Sequence, residues 1–338
     1  MERNRTLTFF LLLLLSSLLS SLLFSCSSLE TITAKVSGRV FKKASLEMET
    51  EKNFNIFKEG TPANLKMLEG LLFLYPQEMN LLQALNKSYT AYALLADETS
   101  LIEFDLTKNA KMFKDKKEDA ISNYSKALTY GLRYLEIKGI ALNDLVKNVN
   151  DDTKIIEMLN KNLDADDEYG DVELVFFVAQ SLGGLINLQK DKPEMISMLP
   201  ITKILFDWVC IKRPNFYNGG CDLFYAVYEM GRPVIMGGSP ERAKNYFLKA
   251  IKENPQNLFI RTMFLQHYHI PMLDEDAFKA EIAQLENELT KFIENTKWTP
   301  FEKEKEKEKE TNNKLNIYNG VAKKRFDIFK QNEKTIFN

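Results

Sequence analysis

Apolar residues recur at steps of three and four through most of the chain. Leu65, Leu68, Leu71 and Leu72 form one stripe, which Pro76 ends. Leu82, Leu85 and Tyr89 form the next. Ala120, Tyr124 and Ala127 are spaced four then three, and Ala243, Phe247 and Ala250 repeat that spacing. Near the end, Ile317, Val321, Phe326 and Phe329 fall at roughly helical intervals. Such steps gather side chains on one face of a helix, whereas a half-buried strand alternates at every second residue. No sustained alternation bounded by turn signals occurs, so the pattern predicts an all-α protein.

The stretch from Pro233 to Pro255 is the most regular. Ser239 is a good N-cap, and Pro240 sits at the first helical position, where a missing N–H costs nothing. The small side chains of Ala243 and Ala250 let a neighbouring helix approach, Phe247 fills the space between, and Pro255 stops the helix. This is the pattern of the second helix of a tetratricopeptide repeat. Degenerate relatives of it lie elsewhere. Pro200–Ile211 reads as a second helix with Phe206 inside and Pro214 beyond it. Ala179 and the Leu182-Gly183 pair share another helix. Leu258–Tyr268 begins a first helix, with Asp276–Thr296 as its long partner. Lys111–Asp119 is charged and reads as surface, and Asn148–Asp167 reads as a polar loop with a short helix. The expectation is a degenerate tetratricopeptide-like helical repeat array, an α-solenoid, which holds partners or shapes a groove and carries out no chemistry itself.

The ends differ from the middle. Arg3 and Arg5 precede an apolar run, Leu7–Phe24, that closes on Ser25-Cys26-Ser27-Ser28. That is the order of a secretory signal. A cysteine behind a small residue at its end resembles the bacterial lipobox, in which Cys26 would carry the lipid. The alternative is an uncleaved span. The expected division is a signal over 1–25, a tether and first helix over 26–59, and a helical repeat domain over 60–300. A charged insertion over 301–312 and a closing helix over 313–338 follow. In the insertion Glu and Lys alternate, which places opposite charges three apart but like charges four apart and reads as low-complexity surface.

A formal charge of −2 offers nucleic acid no electrostatic footprint. No Gly-x-Ser-x-Gly elbow, phosphate loop or His-Glu-x-x-His motif is present, and no enzyme activity or cofactor is expected. His267 and His269 are the only histidines, and two residues apart they point to different helix faces, so no metal site is expected. Asp151-Asp152 and Asp166-Asp167 read as solvated charge. Cys210 and Cys221 either pair outside the cytoplasm or pack as buried thiols. The candidates for ligand or partner contact are helical aromatics, Tyr89, Tyr92, Phe176, Phe177, Tyr225 and Tyr228, since first helices line the concave face of such arrays. Gly237 and Gly238 read locally as a tight turn feeding the Ser239 cap, with close backbone approach to a ligand or partner as the functional alternative.

Several blocks together resemble the T component of tripartite ATP-independent periplasmic (TRAP) transporters. They are Gly70–Pro76 with Leu81-Leu82 and Tyr89–Tyr92, then Ala120–Leu135, Asp171–Gly183, Pro233–Ala250 and Asn319–Phe329. Phe177 stands where that family tends to have tryptophan. The resemblance implies an all-helical, lipid-anchored periplasmic homotrimer with a groove or pore in each subunit. It also implies docking to the transporter's solute-binding P component, and passage of a small ligand that is apolar or carries a carboxylate. The alternative is a repeat-scaffold lipoprotein for assembly of an outer-membrane complex, with a helical cell-wall hydrolase a distant third.

Overall fold

A computed structural model describes residues 40, 47–166, 170–295 and 314–337. The signal segment, Cys26, Asp167 and the Glu-Lys tract lie outside the described residues. Among those described there is no β-strand, and helices follow one another through short connections. The all-α expectation holds.

The first half is built around two buried helices, Met79–Tyr92 and Asp171–Leu188. After the single turn α1 (Glu47–Thr50), α2 runs over Phe54–Leu74 and α3 over Met79–Tyr92. Asn53 caps α2 by accepting from the amides of Asn55 and Ile56, and Glu78 caps α3 through the amide of Leu81. A π turn, Ala93–Asp97, carries α3 into α4 (Glu98–Leu106). The long α5 (Ala110–Ile137) follows, capped by Asn109, with the charged Lys111–Asp119 forming its largely exposed first turns. Beyond the short helices α6 (Leu142–Lys147) and α7 (Asp152–Asn162) comes α8 (Asp171–Leu188). Asp151 accepts from the Lys154 amide, so one of the loop carboxylates is a helix cap. Helix α8 is long and apolar enough to cross a membrane, but 72 % of it is buried in the fold, which makes it a core helix. It packs against α5 on one side and α10 (Leu199–Lys212), reached through the turn α9 (Pro193–Ile196), on the other.

The second half starts with α11 (Gly220–Gly231), paired with α12 (Pro240–Glu253). Ser239 caps α12 as its sequence predicts, and Ala243, Phe247 and Ala250 are fully buried between helices. Helix α13 (Phe259–Phe264) passes through a second π turn, Leu265–His269, before α14 (Glu275–Asn295). The closing segment is two helices, α15 (Asn316–Gln331) and α16 (Glu333–Phe337). Helix α15 returns to pack on α1, α2, α4, α13 and α14, so the C-terminal end ties both halves together. Its fully buried Arg325 donates to Thr99 Oγ1, Gln266 Oε1 and the Leu94 carbonyl, satisfying a charge that burial alone would make costly.

Cys210 and Cys221 are joined as a disulfide, their Cα atoms 5.8 Å apart. The bridge closes the loop between α10 and α11, in which Tyr217, Asn218 and Gly219 are consecutively left-handed at φ 51°, 49° and 95°. Glycine adopts that conformation freely, but for the other two it costs on the order of 1 kcal/mol or more each.

Candidate functional site

Every residue of α3 from Leu81 to Thr90 is buried, including Gln83, Asn86, Lys87, Ser88 and Thr90. A helix wrapped on all sides must satisfy its polar groups from its neighbours. Gln83 Nε2 donates to the Gly170 carbonyl and to Glu173 Oε2 on α8. Asn86 donates to the Ala127 carbonyl of α5.

Lys87 lies at the centre of the arrangement. Its Nζ is 3.0 Å from Glu173 Oε1 and also pairs with Glu49 of α1. Burial pulls the Lys87 amine down, but the charges of Glu173 and Glu49 outweigh it and hold it above the usual lysine range. Lys87 Nζ also lies 5.8 Å from the Phe177 ring centre and 5.6 Å from that of Tyr217. The Tyr217 hydroxyl donates to Glu173 at 2.6 Å and reaches Glu49 at 3.4 Å. Burial, then the two carboxylates, push that phenol well above its ordinary range, so it stays a donor. Two carboxylates and one ammonium thus share one low-dielectric space, with an excess of one negative charge.

Beside this cluster is a cavity of about 30 Å³. Phe57, Ala91, Leu95, Phe177, Ile317 and Tyr318 supply apolar wall, Met48 and Glu49 close one side, and Lys87 and Ser88 supply polarity. Mostly apolar lining with a few fixed polar groups is the make-up of a small-molecule site, while the volume, with Met48 and Glu49 in place, is on the scale of a water molecule. Behind it, Phe176 stacks on Tyr217 at 5.3 Å and meets Phe177, Phe206 and Phe216 edge-on. This aromatic block fixes the ring that carries the Tyr217 hydroxyl.

The sequence-chosen aromatics separate by position. Phe177 lines the cavity and Phe176 supports it. Tyr92 lies one layer out, its ring 6.2 Å from Phe57 and its hydroxyl on the Lys58 carbonyl. Tyr89 belongs to another cluster, donating to Glu69 alongside Tyr130 and Lys126. Partial burial raises Glu69, but those donors and Lys66 outweigh it and hold the carboxyl at about 2. Tyr225 donates to Asp207, and Tyr228 lies 3.9 Å beneath the Arg232 guanidinium. Both are on α11, outside the cavity lining. Gly237 is left-handed at φ 85°, and a Cβ on Gly238 would stand 2.0 Å from the Arg232 carbonyl oxygen. Local backbone geometry accounts for both glycines as a turn.

His267 and His269 lie in the second π turn. Burial, with Arg325 and Lys190 adding to it, lowers His267 to about 3. Among the described residues no His, Cys, Asp and Glu cluster suits a metal ion.

Lys87, Glu49, Glu173 and Tyr217 are the residues sequence reasoning missed. The Cys210–Cys221 pair bracketing Tyr217 was the one local signal for any of them. Comparison with curated proteins finds no match. The family model described as TRAP transporter T-component matches residues 50–288, from the end of α1 into α14, and so takes in Lys87, Glu173, Tyr217 and the whole aromatic block. The chain belongs to the TRAP transporter T-component family.

Proposed function

We propose that this accessory component of a TRAP transporter docks the transporter's solute-binding component and holds a small ligand in transit. The cavity between α3, α8, α15 and α1 supports that reading, because it combines apolar walls with one fixed cation and takes Lys87 and Phe177 from the family-matched region. Ligand exchange would take place at this cavity, with Phe177 and Tyr318 as wall and Lys87 as the polar fixer. The chain would be held to a membrane by a lipid on Cys26, would lie in the periplasm and would work as a homotrimer. No residue is assigned a chemical step.

Sedimentation velocity of the purified chain, alone and mixed with the purified solute-binding component, tests the proposal. The expected result is a trimer that takes up the partner into a faster species. A monomer that leaves the partner's sedimentation unchanged would overturn it.

A further inference from the structure

The short turn α1 and its flank over residues 51–53 form a strap across the cavity, held from beneath by α15. The Asn316 amide donates to the Thr50 carbonyl at 3.0 Å. Gly320 lets the strap lie close, since a Cβ there would stand 2.2 Å from the Lys52 carbonyl oxygen. On its outer side the strap is open to solvent at Lys52 and Asn53. Among its described side chains the deeply placed charge is Glu49, 8 % exposed, and that carboxylate is engaged by Lys87 and reached by the Tyr217 hydroxyl.

Such an arrangement is costly for a purely structural purpose. Glu173 alone would neutralise Lys87, so Glu49 adds a second buried negative charge where one suffices, and buried charge is expensive. Glu49 makes better sense as an occupant. Withdrawing the strap takes Met48 and Glu49 out of the cavity wall and leaves a neutral Lys87–Glu173 pair, with one ammonium direction released while the Tyr217 hydroxyl stays on Glu173. The vacated place has the Lys87 ammonium at one end and Phe57, Leu95, Phe177 and Ile317 around the rest. We propose that Glu49 stands in for the carboxylate of an apolar monocarboxylate, which enters by displacing α1 and binds through Lys87. This rests on the cavity being the ligand site of the preceding reading. The strap then makes the empty and loaded states distinct, because the chain must give up its own carboxylate to accept another.

The test titrates straight-chain carboxylates, butanoate through decanoate, and the matching alcohols into the full chain in detergent. Calorimetry reads affinity, and hydrogen exchange is followed over residues 47–53. One of the carboxylates is expected to bind at least about tenfold tighter than its alcohol, the scale of one charge-assisted hydrogen bond. Exchange over the strap should rise as it binds. Glu49→Gln should tighten carboxylate binding about tenfold, because the internal competitor is removed. Lys87→Met should abolish the preference, and Lys87→Arg, which keeps the charge if the methionine variant fails to fold, should retain it. Alcohols binding as well as carboxylates would overturn the inference, as would a strap that keeps its protection while a carboxylate is bound. Docking of the solute-binding component without carboxylate preference would sink the strap alone. Carboxylate binding without docking would sink the transporter reading and spare the strap.

Discussion

The same substitution at two helical glycines should move stability in opposite directions. Gly70 lies exposed on α2, and a Cβ added there meets nothing within 4 Å. Gly70→Ala should stabilise by about 0.5–1 kcal/mol, since alanine loses less backbone freedom on entering a helix. Gly184 lies on α8 where α5 crosses it, and a Cβ there would stand 2.4, 2.6 and 2.8 Å from three ring carbons of Tyr124. That ring has nowhere to go. Tyr124 is 1 % exposed, and its hydroxyl is fixed on Glu98 at 2.6 Å. Gly184→Ala gains the same ~1 kcal/mol of helix propensity. Against that stand ~1–3 kcal/mol for overpacking and a further ~1–3 kcal/mol if Glu98 loses its donor. The net should be a loss of about 2 kcal/mol. Urea unfolding followed by far-ultraviolet circular dichroism reads both variants against the parent. A Gly184→Ala chain as stable as Gly70→Ala would refute the close crossing of α5 and α8 on which the inner scaffold of the site depends.

Other expectations follow from the same packing. Reducing the Cys210–Cys221 bridge, which spans a sequence separation of 11, should cost ~3 kcal/mol by loop entropy. A thermal midpoint unmoved by reductant would contradict the pairing. Lys87→Met leaves Glu49 and Glu173 facing each other in the interior and should cost ~3–5 kcal/mol. Adding Glu173→Gln should recover part of that, and a purely additive double variant would deny their coupling. His267 is held at about 3 when folded against an ordinary 6.5, so the unfolded chain takes up the proton first. Stability should therefore be whole above pH 6.5 and decline as pH falls towards about 3, and His267→Gln should flatten that decline in acid unfolding curves.

What could be read from the sequence was what is encoded over short range. The Ser239 cap, the Ala243–Phe247–Ala250 face and Phe206 in the core all concern residues within a turn or two of each other. The structure places them as their spacing predicts. Phe177, a candidate as a helical aromatic, lines the cavity. The charged half of the site was illegible for a physical reason. Lys87 meets Glu173 across 86 residues, and Tyr217 reaches Glu49 across 168. Nothing local marks a lysine on a buried helix, or a glutamate in a polar leader, as partners. The left-handed Tyr217 was equally hidden, because its conformation is imposed by the bridged loop and not by its own preference. The two histidines read as ordinary polar positions, while the π turn draws both inward and seals His267 Nε2 and both ring nitrogens of His269.

The most direct evidence of what the chain does is what it assembles with. Recovering it from membranes of the cells that make it, without crosslinker, and identifying the proteins that accompany it measures this. The transporter's solute-binding component is expected to come with it. Recovery of outer-membrane barrel-assembly proteins, with no solute-binding component, would contradict the transporter reading.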